Sequence, residues 1–169
     1  MNIVYLSIGS NEGNRLDNIS KSIQLLNNNV GESISISSIY ENPPLGFDAE
    51  LNFYNLCLSI KTNLDPQMLL IKLKNIEEEI GRKTKSLSGV YSSRCIDIDI
   101  LFYGDYLVET SELSIPHIHL RNRRFVLEPL NEIAGELIDP KSGYSISFLL
   151  NQCDDKSHLN KLPISVEFK

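Results

Sequence analysis

The sequence lacks three features that mark other classes of protein. No apolar run approaches the roughly 18 residues of a membrane span, and residues 1–6 do not pair a basic segment with a long apolar one. We therefore expect neither a membrane protein nor a signal peptide. The phosphate-binding loop GxxxxGKS/T is also absent. Any phosphate group that the protein binds would therefore have to be held by a cation and by arginines, without a glycine-rich loop.

Cysteine and positive charge are scarce as well. Cys57, Cys95 and Cys153 are widely spaced and form no CxxC pair, which is typical of buried thiols in a reducing cytosol and indicates a cytoplasmic protein. Acidic residues outnumber Lys and Arg by 22 to 16, giving a net charge of −6, which argues against general nucleic-acid binding. The 169 residues, 41% of them hydrophobic, fit one soluble globular domain.

The positive charge that is present falls in two short stretches. One holds Arg82, Lys83, Lys85 and Arg94, and the other holds Arg121, Arg123 and Arg124. Two local basic clusters in an acidic chain suit a small polyanion such as a nucleotide triphosphate. Solvated surface charge is the alternative for any one of these residues.

Periodic segments follow one another in the order strand, helix, strand, strand, helix, strand. Strands are predicted at 3–8, 33–40, 53–60 and 95–102, and helices at 16–26 and 65–81. Asp65-Pro66 gives the second helix a capping side chain followed by proline at its first position. This order predicts an α+β, ferredoxin-like βαββαβ core, with two helices on one face of an antiparallel sheet.

The remaining segments are predicted to be loops, helical additions and a tail. The adjacent prolines of 42–46 require a loop, and 83–93, rich in Lys, Ser and Gly, is expected to be a mobile loop. C-terminal helical additions are predicted at 121–133, with Pro129 as a kink or break, and at 146–150. We expect a functional domain over 1–152 and a polar tail or linker over 153–169.

Asp97 and Asp99 lie in the predicted strand of residues 95–102. Residues two apart on a strand share a face, so the two carboxylates lie together, opposite Ile96, Ile98 and Ile100. Like charges that close repel each other. Mg²⁺ would relieve the repulsion, since it prefers one or two carboxylates plus phosphate oxygens. The alternative is an ordinary half-buried strand whose aspartates face water, and the motif alone leaves both interpretations open.

Short motifs run in a fixed order along residues 2–150. They are Gly9-Ser10-Asn11, Asn42-Pro43-Pro44-Leu45-Gly46, Asn55, residues 77–82, residues 94–101, Ile115-Pro116-His117, residues 122–127 and residues 129–134. In order and spacing this set resembles the 6-hydroxymethyl-7,8-dihydropterin pyrophosphokinase family of folate biosynthesis. The resemblance implies that pyrophosphate passes from ATP to the pterin, giving AMP and the pterin diphosphate.

The resemblance also implies roles for individual residues. Asp97 and Asp99 would hold two Mg²⁺ ions, and Arg82 and Arg94 would act with them as catalytic residues. A helix C-terminal charge is the alternative for Arg82. The implied ATP-binding residues are Leu70, Lys74, Glu77, Arg82, Lys85, Tyr91, Arg94, Ile100, Ser114, His117, Ile118 and Arg123. The implied pterin-binding residues are Asn42, Pro43, Pro44, Leu45, Phe53, Asn55 and Phe125.

Some of these positions have other interpretations or depart from the family pattern. Phe53 and Phe125 would stack on the flat pterin, but both could instead be core residues. His117 could otherwise be a surface histidine. A basic contact usual in the family is missing near residue 90, so Lys85 is the candidate to supply the charge, and Tyr91 stands where Trp is common.

A binding module without catalysis is the alternative function, because ferredoxin-like folds also bind nucleic acids and small ligands. RNA binding needs stacking aromatics and a basic sheet face, whereas the strand of Asp97 and Asp99 is anionic, so we expect no nucleic-acid partner. In some organisms the resembling domain is fused to dihydropteroate synthase. The tail could begin a linker to that enzyme, or it could be a natural end.

Overall fold

The computed structural model describes residues 1–82 and 93–166. The strands are β1 (Asn2–Ser10), β2 (Gly31–Ile36), β3 (Tyr40–Asn42), β4 (Phe53–Thr62), β5 (Asp97–Tyr103), β6 (Val108–Glu109), β7 (Ser114–Ile115) and β8 (Asn160–Lys161). The α-helices are α1 (Arg15–Asn29), α2 (Pro66–Ile80), α3 (Arg124–Ala134) and α4 (Ile146–Gln152), and a 3-10 helix covers Leu120–Asn122. Lys85, Tyr91 and all of the predicted 83–93 loop except Ser93 lie outside the described residues.

The main sheet confirms the predicted ferredoxin-like core. Its strand order is β5-β1-β4-β3-β8, β2 also pairs with β4, and the pairs are antiparallel. The predicted strand over 33–40 is present as β2 and β3, with a break at 37–39. The small β6–β7 hairpin lies apart from this sheet.

Two hydrophobic cores lie on opposite faces of the sheet. The first joins α1 and α2 to one face, through residues such as Leu6, Leu58 and Ile98. The second packs α3 and α4 against part of the other face, around Cys57 and Phe102. The C-terminal helical additions thus leave the rest of the second face open for a site. Pro129 lies inside α3 and does not end it.

A β-bulge in β5 decides which of its side chains reach the second face. Ile100 pairs with Leu6 and Phe102 pairs with Tyr5, so Leu101 is an extra residue on the β5 side. Asp97 and Asp99 pair with Gly9 and Ser7 and share their face. Both Leu101 and Phe102 belong to the second core, whereas Tyr103 belongs to the first.

The ends of α2 form as the sequence predicts. The Asp65 side chain accepts a hydrogen bond from Met68 N, and Pro66 is the first helical residue. Gly81 ends the helix with φ +122°, a conformation that other residues rarely adopt. The chain turns back there, and Arg82 N donates to Glu77 O at 3.0 Å. This turn directs Arg82 to the site.

The segment after α4 packs along the edge of the sheet. β8 pairs with β3, and Leu162 N donates to Ile39 O at 2.9 Å. Leu162, Ile164 and Val166 contact the first core. The predicted domain boundary at residue 152 stays a prediction. Within the part of the chain that the structure describes, no helix is long and apolar enough to cross a membrane.

Candidate active site

The open part of the second sheet face forms the floor of a cavity of about 200 Å³. Alternation along β1, β4 and β5 directs Ser7, Gly9, Asn55, Asp97 and Asp99 to this face. The remaining lining residues are Asn42, Leu45, Gly46, Phe47, Phe53, Arg94, Leu101, His117, Arg123, Phe125 and Val126. The residues of the floor are therefore glycine or have polar side chains, while aromatic side chains line the sides of the cavity.

A pair of buried amides occupies one end of this first cavity. Asn55 Nδ2 donates to Asn42 Oδ1 at 2.6 Å, and Asn42 Nδ2 donates to Pro43 O at 2.9 Å. Gly9 leaves room for the amides, since a Cβ at Gly9 would lie 2.6 Å from Asn55 Oδ1. The Asn55 amide thus has a fixed orientation next to the cavity. A fixed amide is suited to hydrogen-bond with the polar edge of a planar ligand.

Aromatic side chains flank the amide pair. Phe53 and Phe125 are both half-buried and line the cavity, as the resemblance implies. Phe47 contacts Phe53 edge-to-face with ring centroids 6.3 Å apart. Pro43 and Pro44 are not among the described lining residues, so of the predicted pterin set the structure brings five together: Asn42, Leu45, Phe53, Asn55 and Phe125.

A second cavity of about 420 Å³ lies between α2 and β5. Its lining includes Leu70, Lys74, Glu77, Arg82 and Arg94, five of the predicted ATP-binding residues. It also includes Leu73, Glu78, Asp97, Ile98, Asp99 and Glu112. Arg94, Asp97 and Asp99 line both cavities, so the two spaces meet at these three side chains.

Two arginines hold the carboxylate of Asp97 from different directions. Arg82 Nη1 contacts Asp97 Oδ1 at 2.7 Å, and Arg94 Nη1 contacts Asp97 Oδ2. Arg82 Nη1 also lies 2.7 Å from Glu77 Oε2. Glu77 Oε1 accepts a hydrogen bond from Ile98 N at 2.7 Å. Glu77, predicted as an ATP contact, therefore also orients Arg82.

Burial raises the pKa of Glu77 to about 7, and the neighbouring Asp97 adds to the shift while Arg82 opposes it. Arg82 Nε is buried and has no hydrogen-bond partner in the part of the chain that is described. A guanidinium N–H that lacks an acceptor beside a cavity suits an anionic ligand.

Asp99 and His117 form the opposite side of the meeting point. His117 Nε2 lies 3.9 Å from Asp99 Oδ2. Partial desolvation between the two cavities, with the Asp97 and Glu77 carboxylates nearby, raises the pKa of Asp99. Burial, with the charge of Arg123, lowers the pKa of His117 to about 4, so the imidazole is neutral at pH 7. Two ionisable groups here disfavour their charged forms, which is frequent at functional sites.

The structure leaves other predicted ATP contacts away from the second cavity. Ile100 is buried in the first core and is not among the described lining residues of either cavity. His117 and Arg123 line the first cavity rather than the second. Ser114 and Ile118 are not among the described lining residues of either cavity. Lys85 and Tyr91 cannot be placed, because they lie outside the described residues.

Sequence reasoning missed several lining residues. Ser7 and Gly9 carry a signal that could have found them, because they alternate with the apolar residues of β1 and so share one face. Phe47 follows the Pro-Pro loop closely enough to have been a candidate. Glu112 lies far from α2 in sequence but 3.8 Å from Lys74, and no local pattern indicates that contact.

The residues at the meeting point fit a hard divalent cation. Asp97 and Asp99 offer carboxylate oxygens, which Mg²⁺ prefers. Desolvation and then the nearby Asp97 and Glu77 carboxylates raise the pKa of Asp99, and added positive charge would relieve the repulsion between these carboxylates. Among residues 1–82 and 93–166, no group of three or more His, Cys, Asp or Glu side chains could hold a metal ion. A bound ion would thus need ligand oxygens from substrate as well.

The chain is similar to known proteins over most of its length. The family model described as 7,8-dihydro-6-hydroxymethylpterin-pyrophosphokinase (HPPK) matches residues 5–135. A protein named 2-amino-4-hydroxy-6-hydroxymethyldihydropteridine pyrophosphokinase from Aquifex aeolicus is 44% identical over 140 residues, which cover 83% of this chain and 85% of that protein. A protein of the same name from Porphyromonas gingivalis is 42% identical over 135 residues, covering 79% and 92%.

Some similar proteins are much longer than this chain. The folic acid synthesis protein fol1 of Pneumocystis carinii is 38% identical over 160 residues, which cover 95% of this chain and 21% of that protein. The crystal structure of wild-type Plasmodium falciparum HPPK-DHPS with pteroate has a TM-score of 0.74 at 18% identity, covering 89% of this chain and 44% of that one. The chain thus spans about a fifth of fol1 and less than half of HPPK-DHPS. The likeness to the crystal structure shows the fold.

Proposed function

We propose that this chain transfers pyrophosphate at the place where its first and second cavities meet. The chain belongs to the 7,8-dihydro-6-hydroxymethylpterin-pyrophosphokinase family and is an ATP-dependent pyrophosphokinase of folate biosynthesis. The observation that carries the proposal is the shared lining by Arg94, Asp97 and Asp99. Direct transfer needs reacting atoms about 3–3.5 Å apart. Substrates in two cavities with common lining residues can approach each other that closely.

The pterin is proposed to occupy the first cavity. Phe53 and Phe125 would stack on the faces of the ring system, and the Asn55 amide would pair with its polar edge. Asn42 supports that amide from behind through the 2.6 Å hydrogen bond. Leu45, from the loop between β3 and β4, would close one side, next to Pro43 and Pro44. The hydroxymethyl group would then point toward Asp97 and Asp99.

ATP is proposed to occupy the second cavity. Leu70 and Lys74 on α2 line it, and Arg82 and Arg94 stand at the end that adjoins the first cavity. The buried Nε–H of Arg82, which has no hydrogen-bond partner among the described residues, and the planar guanidinium of Arg94 suit phosphate oxygens. His117 and Arg123 would reach the phosphates from the first cavity. Lys85, Tyr91, Ile100, Ser114 and Ile118 remain proposed ATP contacts on the family pattern alone.

Asp97 and Asp99 would hold Mg²⁺, and we propose two ions. Mg²⁺, when bound, supplies positive charge that neutralises phosphate oxygens during transfer. Arg82 and Arg94 already contact Asp97, so they would keep its carboxylate in one orientation before substrate binds. Asp99, with 41% of its side chain exposed, is the more accessible of the two carboxylates.

The proposed step is an in-line displacement at the β-phosphorus of ATP. The pterin hydroxymethyl oxygen forms a bond to that phosphorus and releases its proton to solvent. The bond from that phosphorus to the oxygen bridging to the α-phosphorus breaks, and AMP leaves with the electron pair. Phosphoryl-type transfer depends mainly on positioning and charge neutralisation. Arg82 and Arg94 would stabilise the charge on the transferred group from the ATP side.

The reaction product tests the function. The protein, incubated with ATP, Mg²⁺ and 6-hydroxymethyl-7,8-dihydropterin, should release AMP and pterin diphosphate. ADP would indicate an ordinary kinase instead. Substrate binding without any nucleotide product would favour a binding module without catalysis.

Two carboxylate variants test the site. Asp97→Asn and Asp99→Asn should each lower turnover by more than about 100-fold, because a charge that stabilises the transferring group is lost. Circular dichroism should show an intact fold. Asp105→Asn is the matched control, since Asp105 is exposed in the turn after β5. Near-normal turnover of either site variant would remove that residue from the proposed metal site.

Partners and location are proposed from different observations. Fusion to, or association with, dihydropteroate synthase is supported by the similar Plasmodium falciparum HPPK-DHPS chains. A cytoplasmic location is supported by Cys57, Cys95 and Cys153, all of which are free thiols.

A further inference from the structure

We infer that Asn11 is a positioning residue for the transfer, which acts by fixing the backbone that carries Arg94. Asn11 follows β1 and belongs to the Gly9-Ser10-Asn11 motif. It is 2% exposed, and neither it nor Ser10 is among the described residues that line the two cavities. Any effect of Asn11 on turnover must therefore pass through other residues.

Asn11 satisfies both backbone groups of Arg94. Asn11 N donates to Arg94 O at 3.0 Å, and Arg94 N donates to Asn11 Oδ1 at 2.7 Å. Asn11 Nδ2 also donates to Ser93 Oγ at 3.3 Å. Ser10 Oγ continues the pattern by donating to Cys95 O at 2.6 Å. Ser10, the last residue of β1, and Asn11 thus hold three consecutive residues before β5.

These contacts begin where the sheet stops holding this segment. The β1–β5 pairing ends with Gly9 opposite Asp97, so residues 93–95 lie beyond the ladder. Arg94 nevertheless has to present its guanidinium to the Asp97 carboxylate. The hydrogen bonds from Ser10 and Asn11 take the place of strand pairing there, and they fix where the Arg94 side chain begins.

The chemistry of asparagine explains why this residue type suits the position. Its side chain offers an acceptor to Arg94 N and a donor to Ser93 at the same time. Aspartate would keep the acceptor but lose the donor, and alanine would lose both. A buried turn that only needed to be stable could be held in other ways, but here both side-chain contacts go to the segment that carries Arg94.

The inference rests on the proposed role of Arg94 in the transfer, so the test is a double-mutant cycle. Asn11→Ala, Arg94→Ala and the double variant are compared by kcat per folded enzyme and by KM for each substrate. We expect Asn11→Ala to lower kcat by about 10- to 100-fold with little change in either KM, because small misplacements of catalytic groups are costly. In the Arg94→Ala background it should lower kcat less than about threefold.

Asn14→Ala is the control, since Asn14 is an asparagine of the same turn that caps α1 through Asp17 N. Its kcat should equal that of the wild type. If Asn11→Ala does not fold, Ser10→Ala is used in the same cycle. That variant removes the hydrogen bond from Ser10 Oγ to Cys95 O and the longer one, 3.5 Å, that Ser10 Oγ accepts from Asn18 Nδ2. Asn11→Asp should restore part of kcat because it retains the acceptor.

Three outcomes would overturn the inference, and each has a different meaning. If Arg94→Ala turns over like the wild type, the proposed role of Arg94 fails and the inference fails with it. If Arg94→Ala is impaired but Asn11→Ala has the same effect in both backgrounds, the inference alone fails. A variant that melts earlier with unchanged kcat per folded enzyme would likewise show that Asn11 only stabilises the fold.

Discussion

Replacing Gly9 by alanine should weaken pterin binding through its effect on one amide. A Cβ at Gly9 would lie 2.6 Å from Asn55 Oδ1, whereas ordinary contacts begin at 3.4 Å. The amide would have to move by about 0.8 Å to relieve the overlap. The next neighbour, Phe53 Cδ1 at 3.7 Å, is already at an ordinary distance. The Gly9→Ala substitution should therefore displace the Asn55 side chain and leave Phe53 in place.

The size of the effect follows from the hydrogen bond that the amide makes. Asn55 Nδ2 donates to Asn42 Oδ1 at 2.6 Å, and both side chains are buried. A displaced amide leaves a buried polar group unsatisfied, which costs about 1–3 kcal/mol. If that cost falls on the pterin complex, the dissociation constant rises roughly 5- to 150-fold. ATP binding, in the other cavity, should change little.

The assay is calorimetric titration of pterin and of a nonhydrolysable ATP analogue, with a thermal melt of each variant. Asn55→Ala supplies the matched background, because it removes the group that the new methyl would displace. Gly9→Ala should have no further effect on pterin affinity in that background.

Wild-type pterin affinity in Gly9→Ala would refute the reasoning, since the amide would then have moved without consequence. An equal loss of affinity with and without the Asn55 side chain would refute it too, because the methyl group would then act on something else. A loss confined to ATP would mean that the first cavity does not hold the pterin.

Two further predictions concern aromatic and titrating side chains. Phe53→Ala and Phe125→Ala should weaken pterin binding with modest losses of melting temperature. Phe102→Ala is the core control, because Phe102 is 1% exposed, and it should lose about 3–5 kcal/mol of stability. Early melting of the Phe53 and Phe125 variants with normal pterin binding would show that these two are core residues. A folded-state pKa of about 4 for His117, below its ordinary 6.5, means that the unfolded chain binds the proton first as pH falls. The free energy of unfolding is therefore unaffected by His117 above pH 6.5 and falls by about 3 kcal/mol as pH drops to about 4, because the fold disfavours the charged imidazole. Urea denaturation of His117→Gln should show a flatter pH dependence in that window, and a wild-type slope would contradict the prediction.

Local patterns were enough to predict the core of the fold. The caps of α2 depend on Asp65, Pro66 and Gly81, which act within one turn of the helix. The shared face of Asp97 and Asp99 depends only on strand alternation. Such features are set by neighbours in sequence, so they can be predicted without knowing the tertiary structure.

Features that depend on distant residues could not be predicted. β8 is two residues long and forms only because β3 offers an open edge. The need for glycine at position 9 arises from Asn55 on another strand. Glu77 looked like a ligand contact, but its hydrogen bond to Ile98 and its ion pair with Arg82 are formed only after α2 packs on β5. The family pattern supplied residue identities that periodicity alone would have left open.

The bulge at Leu101 determines where β5 could change its length. Because the extra residue sits between two correctly alternating halves, deleting Leu101 would leave Asp97, Asp99 and Tyr103 on their present faces. Deleting Ile98 instead would shift the strand by one residue and turn Asp97 into the first core, where a charge is costly. Thermal melting of the two deletion variants would show the difference. Leu101 is thus the position at which the strand can lose a residue while the carboxylates keep their side of the sheet.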